Sequence, residues 1–449
     1  MSAYLNYLNS LLNNTRRQFP EYAADLKPLN YARALELESQ RDQLLDSMGS
    51  RLNWSFKQTK PWINRLSEGC RLCGKGEWSC LFITGKCNAG CFYCPAPQLT
   101  DGLPETQQLT FGDPGVYIEY LNHFGFSGVS LSGGEPLLVF DRTLRFIREV
   151  RKNTTPSMYL WMYTNGILAD EEKFRQLADA GLDEIRFDIG ATRYRLDAVK
   201  KAKGIIPHVT IEIPAVPEEK ELIKKLLPEM VEAGVTNLHL HQLRLTPHNV
   251  PQLIPRNYSY LQAEQPTVAE SELAALEIMH AALEQGLDIG INYCCFQYKN
   301  RFQKAGYRRK IAARFAEPGE ELTENGYLRK IFVFPADDAP AHATSAHSLL
   351  TAAELPDLPN DEKKLSVFYR TVKLRDSENG SAAGQTARLG EKSYRVESGF
   401  AVQALEIEPE DLAGFAELIH AEVPEIPDSP ALFKAWKHER IEEGWRNYF

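Results

Sequence analysis

A chain of 449 residues with 43% hydrophobic content can bury a large core, and its length suggests two or three domains. The formal net charge of −9 argues against a protein whose main business is gripping nucleic-acid backbones. No apolar run approaches the ~20 residues that span a bilayer, and the opening Met1–Asn6 lacks a signal-peptide pattern, so a cytoplasmic location away from membranes is expected.

Residues 1 to about 50 read as helical, with Leu5, Leu8, Leu11 and Leu12 at helix spacing, a second periodic run over Tyr31–Met48, and breaks at Pro20 and Pro28. Cys70-x2-Cys73 follows in a glycine-rich turn and supplies half a metal site. After the strand-like run Leu81–Gly85 comes Cys87-x3-Cys91-x2-Cys94, with Tyr93 just before the last thiol. Three close cysteines can hold three corners of a four-iron, four-sulfur cluster and leave one iron open to a small molecule. A zinc knot is the alternative, although zinc more commonly uses paired C-x2-C units or added histidines. Eight cysteines, six of them between Cys70 and Cys94, point to metal rather than to a disulfide framework.

From Ser79 to about Cys295 strand-like and helix-like segments alternate, which implies a parallel sheet with helices outside it. The expected strands are Cys80–Thr84, Gly128–Leu131, Met158–Tyr163, Glu184–Asp188, His208–Ile213, Asn237–Leu245 and Leu287–Tyr293. Candidate motifs fall at strand ends, where such sheets collect functional groups. Gly133-Gly134-Glu135-Pro136 offers close backbone approach and a carboxylate. Tyr163-Thr164-Asn165-Gly166 offers a hydroxyl and an amide, or a plain turn. Arg186 and Asp188 are ligand contacts or partners in an interior ion pair. On the sixth strand His239 and His241 share one face and Arg244 the other, and either set can meet a substrate, with an anionic group as one option. Cys294, in the vicinal pair Cys294-Cys295, can complete the half-site of Cys70 and Cys73, with Cys80 or Cys295 as a fourth ligand. The basic run Lys304–Arg314 reads as a solvated helix face. Beyond about 331 lie the linker-like stretches Ala336–Ala343 and Pro356–Lys363 and a turn at Ser377–Gly384. Strand-like Leu365–Val372 and Gln403–Ile407 and helical Pro409–Ala421 and Pro430–Trp445 make up a small α+β tail.

The cysteine triplet, followed about 40 residues later by the G-G-E-P segment, resembles the signature of the radical S-adenosylmethionine (radical SAM) superfamily. The longer pattern from Gly69 through Cys94-Pro95, with Cys294, Tyr298-Lys299, Gln303 and Leu322–Gly326, is similar to an uncharacterised group related to pyruvate formate-lyase activating enzyme. The resemblance spans roughly residues 69 to 330 and implies an open, about six-stranded, TIM-like barrel. With it go an N-terminal helical segment (1–68) and a small C-terminal domain (331–449). It implies an enzyme whose [4Fe-4S] cluster, on Cys87, Cys91 and Cys94, cleaves S-adenosylmethionine reductively to a 5′-deoxyadenosyl radical that abstracts a substrate hydrogen. Gly133, Gly134, Glu135, Thr164, Asn165 and Asp188 then contact S-adenosylmethionine, and Tyr93 sits near its adenine. Cys70, Cys73 and Cys294 bind a second [4Fe-4S] cluster or zinc. His239, His241 and Arg244 face a small-molecule or peptide substrate, and a flavodoxin or ferredoxin supplies electrons. The competing class is an iron–sulfur binding or electron-transfer module that does not cleave S-adenosylmethionine.

Overall fold

In the computed structural model, which describes residues 3–26, 29–335, 348–357, 363–377, 386–390, 392–422 and 425–444, the chain divides into two compact units. One comprises Leu11–Lys299, and the other Asn300–Glu443 with the first ten residues.

The first unit is organised around one sheet. Its strands are β1 (Asn53–Ser55), β2 (Lys60–Ile63), β3 (Trp78–Thr84), β4 (Gly128–Gly133), β5 (Tyr159–Thr164), β6 (Glu184–Phe187), β7 (His208–Pro214), β8 (Val235–His241) and β9 (Gly290–Cys294). Strands β3 to β9 lie side by side in chain order and all pair in parallel. The expected six-strand path is therefore β3 to β8, and β9 extends it by one. Helices Pro114–Phe124, Phe140–Asn153, Glu171–Asp179, Asp197–Ala202, Lys220–Glu232 and Glu270–Glu284 make the crossovers that parallel neighbours require. The sheet stays open: β2 pairs antiparallel with β9 at one edge, and a hairpin (Glu105–Thr106, Leu109–Thr110) covers β3 at the other.

Period-two alternation sorts the side chains. Leu160, Met162, Ile185, Phe187, Ile211, Ile213, Leu238, Leu240 and Ile291 are buried in the layer beneath the helices. The intervening residues Glu184, Arg186, Thr210, His239 and Asn292 occupy the opposite, inner face and are also buried. A wholly structural parallel sheet would carry apolar residues on both faces. This one encloses charge.

The sixth expected strand is shorter than its alternation suggests. It ends at His241, because Gln242 turns its amide to the Val268 carbonyl at 3.3 Å and the Leu243 N–H goes to the Ser271 hydroxyl at 3.2 Å. The two N-terminal helices form as Ala3–Gln18 and Tyr31–Met48, while Pro28 lies outside the described residues. Arg33 and Arg41 of the second helix meet Glu270 (3.0 Å) and Glu272 (3.8 Å) of an outer helix.

In the second unit β10 (Leu328–Pro335), β11 (Lys363–Asp376), β12 (Thr386–Leu389) and β13 (Lys392–Ile407) pair antiparallel in the order β10-β11-β13-β12. Helices Leu412–His420 and Pro430–Glu439 close a core of Leu365, Val367, Tyr369, Ile407, Phe415 and Trp436. The tail expected from the sequence thus has longer strands, and its last helix stops at Glu439; Trp445 lies outside the described residues, as do Ala336–Ala343 and most of Pro356–Lys363 and Ser377–Gly384. The basic run forms helix Ala305–Ala312, but not as a purely solvated face. Arg308 donates to the Asn325 carbonyl at 2.8 Å and Arg309 to that of Glu324 at 3.3 Å.

Candidate active site

The cysteine loop leaves β3 and is folded back by its own backbone. Cys87 N–H donates to the Gln98 carbonyl (3.1 Å) and Cys94 N–H to that of Cys91 (3.0 Å), which closes a turn around the triplet. All three thiols are partly exposed. Burial, then Asp188, and then the neighbouring Cys94 and Cys87 push the Cys91 thiol up to about 12. Cys94 is raised too, by burial and by Cys87 and Asp188. Cys91 and Cys94, raised in part by neighbouring charge, form with Cys87 a donor set that a cationic iron cluster would neutralise. Among the described residues no three of His, Cys, Asp and Glu are gathered tightly enough for a single metal ion. A four-iron cluster takes its thiolates on separate irons, a donor set that three thiols on one loop can supply.

The G-G-E-P segment braces this loop. Gly134 N–H donates to the Thr84 carbonyl and Glu135 N–H to the Lys86 carbonyl, both at 2.8 Å. A Cβ on Gly134 would stand 1.9 Å from the Lys86 oxygen, and Gly133, at φ 111°, is within 2.3 Å of the Thr84 oxygen by the same measure. The glycines therefore allow close approach of the chain to itself. Glu135 is 1% exposed and accepts from Leu137 N–H (2.9 Å), Thr164 hydroxyl (2.8 Å) and Asn165 N–H (2.7 Å). Burial raises its pKa against those three donors. Asn165 in turn donates to Asn88 Oδ1 at 2.7 Å, with Cys87 Sγ 3.7 Å away. Five residues singled out in the sequence, namely Gly133, Gly134, Glu135, Thr164 and Asn165, thus form one knot under Cys87.

Tyr93 projects the other way. Its hydroxyl donates to Asp188 Oδ1 at 2.7 Å, and Asn249 donates to its carbonyl at 3.2 Å. Asp188 also accepts from Gly190 N–H (3.1 Å), yet burial pushes it up to about 6. Arg186 is an interior ion pair: it grips Glu184 through two nitrogens (3.0 and 2.9 Å) and reaches Glu212 at 2.8 Å. His239 and His241 both meet Glu212, His239 at 3.1 Å.

A second group of thiols gathers beyond this network. Cys70 and Cys73 lie one turn apart on helix Glu68–Lys75. Cys70 Sγ is 3.6 Å from the His239 ring and 3.6 Å from Asn292 Oδ1. Cys294, at the end of β9, receives the Lys60 ammonium at 2.6 Å. Burial works against ionisation, but Lys60, His241 and Lys299 together bring the Cys294 thiol down to about 5. Cys70 is lowered in the same way against burial, by His239 and Lys60. Cys294, Cys70 and Cys73 each raise the pKa of fully buried Lys60. The three thiols named from the sequence therefore share one ammonium, which sequence reasoning missed. Cys295 turns toward the Thr59 carbonyl (3.6 Å) and accepts from Tyr298 N–H (3.3 Å). Cys80 is pushed up to about 11 by burial, with Ser130 and Ser132 beside it. Arg244 leaves the sheet and stands over the Phe296 ring.

Residues 81–195 match the family model of the Radical SAM superfamily. A Methanocaldococcus jannaschii protein provisionally named a glycyl-radical enzyme activating enzyme is 30% identical over 291 residues, 62% of this chain and 76% of that one. A protein of Methanococcus aeolicus provisionally named a GTP 3′,8-cyclase is 30% identical over 162 residues, 35% of this chain, and the match spans 47% of its own length. The solved structure of HydG, a maturase of the [FeFe]-hydrogenase, aligns over 62% of this chain and 65% of its own with a TM-score of 0.33 and 12% identity.

Proposed function

The chain belongs to the radical SAM superfamily, whose enzymes use a [4Fe-4S] cluster and S-adenosylmethionine, and from that premise we propose that Cys87, Cys91 and Cys94 hold this cluster for hydrogen abstraction from a substrate at the mouth of the sheet. Cluster and S-adenosylmethionine together supply a 5′-deoxyadenosyl radical by one-electron cleavage of the sulfonium. The protein's part is position. Glu135, bonded to both Thr164 and Asn165, fixes the ends of β4 and β5, and Asn165 passes that rigidity to the loop at Asn88. Gly133 and Gly134 lie along the edge left open for the amino acid part of S-adenosylmethionine. Asp188 and Tyr93 present a carboxylate and a ring to its ribose and adenine. The carrying observation is the buried Glu135 knot, which ties two separate motifs to one cysteine loop.

The second thiol group is assigned to an additional [4Fe-4S] cluster on Cys70, Cys73 and Cys294, with Lys60 as its buried counter-charge. His239 and His241 would then stand between the two sites, on the substrate's side. The name of the M. jannaschii relative favours a protein or peptide partner, and that of the cyclase a small molecule. A soluble electron donor such as a flavodoxin or ferredoxin completes the reaction. No helix among the described residues is long and apolar enough to cross a membrane.

The test is iron, sulfide and zinc content after anaerobic reconstitution, together with 5′-deoxyadenosine formed from S-adenosylmethionine under reduction. The proposal expects two clusters, one lost on Cys87/Cys91/Cys94→Ala and the other on Cys70/Cys73→Ala, with 5′-deoxyadenosine abolished only by the first set. Zinc retained alongside one cluster would reassign the second site. Clusters without 5′-deoxyadenosine would leave the electron-transfer module as the better reading.

A further inference from the structure

Beside the thiol sites stand two cations without a salt bridge among the described residues. Arg244 lies three residues past the end of β8 and Lys299 five past Cys294, and their charged groups stand 5.0 and 5.1 Å from the centroid of one ring, Phe296. Arg244 makes a single side-chain hydrogen bond, to Gln265 Oε1 at 2.8 Å, although a guanidinium has five donors. Neither it nor Lys299 has an ion pair among the described residues. Arg186, deeper in the same sheet, is by contrast paired on both sides by Glu184 and Glu212. The nearest carboxylate acting on Lys299, that of Glu212, is already engaged by Arg186, His239 and His241.

Two like charges sharing one half-buried recess are a cost that a fold with spare acidic residues would ordinarily neutralise. Burial lowers the pKa of both groups; at Lys299 the Cys294 thiol works against burial and Arg244 adds to it. The recess also has a defined place. Asn249 donates to the Arg244 carbonyl at 3.1 Å and to that of Tyr93 at 3.2 Å, so the segment carrying Arg244 is fastened to the cysteine loop. Lys299 acts on Cys294 and His241 from the other side.

We propose that Arg244 and Lys299, both set against the Phe296 ring, form a receptor for an anionic group of the substrate, a phosphate or a carboxylate. The aromatic ring gives both cations a surface to rest on in the free protein. A planar guanidinium and a compact ammonium then offer bidentate and point-charge contacts to the same anion. This inference rests on the radical SAM reading of the site and gives its substrate a charge.

Titration calorimetry on the full-length protein tests it, with pyrophosphate and glutarate as the two probes at low ionic strength. One of them should bind, and which one does separates a phosphate from a carboxylate receptor. Arg244→Gln and Lys299→Gln should each weaken that probe about tenfold, the scale of one charge-assisted hydrogen bond. Arg244→Lys and Lys299→Arg should keep most of the affinity, which guards against simple misfolding. Failure of both probes to bind, or an equal loss in the exposed control Lys225→Gln, overturns the proposal. The same variants, reconstituted, are then compared for S-adenosylmethionine affinity. Unchanged affinity supports a substrate site; a tenfold loss would assign the cations to the carboxylate of S-adenosylmethionine and overturn it. If reconstituted wild type forms no 5′-deoxyadenosine while the anion titrations succeed, it is the functional reading that falls.

Discussion

Two single residues carry consequences that can be measured without knowing the substrate. Gly134 has no room for a side chain, because its α-carbon abuts the Lys86 carbonyl, a backbone atom that cannot rotate away. Gly134→Ala should therefore cost about 1–3 kcal/mol, visible as a lower urea midpoint, and should reduce iron retained on Cys87, Cys91 and Cys94. Asp188 tests the electrostatics. Burial places its carboxyl at about 6 against an ordinary 3.8, despite the hydrogen bonds from Tyr93 and from Gly190 and Ala191 N–H. Between those two values the folded chain holds a proton that the unfolded chain has released, so this group withdraws stability as pH rises through the window. Asp188→Asn should abolish that contribution. The stability difference between variant and wild type, followed by urea unfolding, should shift in the variant's favour from about pH 4 to about pH 6. A difference that is flat across the window would refute the assignment.

Among the elements, the C-terminal helix Pro430–Glu439 offers a clear case. Its Glu439 is 4% exposed, accepts from Arg329 of β10 at 2.7 Å and from the Tyr369 hydroxyl of β11 at 2.8 Å, and so pins the helix to two strands. Glu439→Ala leaves the buried Arg329 guanidinium with Glu321 as its remaining carboxylate, removes the acceptor of Tyr369, and should cost about 1.5–3 kcal/mol, measurable by chemical denaturation; Glu439→Gln should cost less. What was legible in the sequence at this scale was whatever is local. The cysteine triplet, Gly133–Glu135 and Thr164-Asn165 are each a few consecutive residues, and the knot they form needs only the adjacency of β3, β4 and β5, which βα alternation implies. Lys60 was not legible. It lies in a short run, Thr59–Ile63, with no motif around it, and it meets Cys294 only because Ile63 pairs with Ile291 across 228 positions. Lys299 entered the sequence reading only through the resemblance, with no role attached, because its neighbour at the Phe296 ring, Arg244, comes from 55 positions away in sequence. The overlong sixth strand had a different cause. Period-two alternation continues to Leu245 on paper, but the Gln242 amide leaves the sheet to satisfy the Val268 carbonyl and the Phe296 N–H.

For the whole molecule, the balance between metal and fold is the accessible quantity. A cluster that binds the folded chain and not the unfolded one raises the melting temperature by mass action. Reconstitution should therefore raise the Tm of wild type by more than that of Cys70/Cys73→Ala, and removing iron with a chelator should erase the difference, as read by calorimetry under argon. Equal gains in both proteins would mean that the second thiol group holds nothing that matters to the fold. The open edge of the sheet adds one more consequence. Lys60 and Cys294 are 234 residues apart in sequence and 2.6 Å apart in space, at the seam where an early strand covers the last one. Closing so long a loop is slow and entropically costly, so the thiols at that seam work as a buckle, and a single oxidised sulfur there would be felt first as a slackened clasp along the sheet's edge.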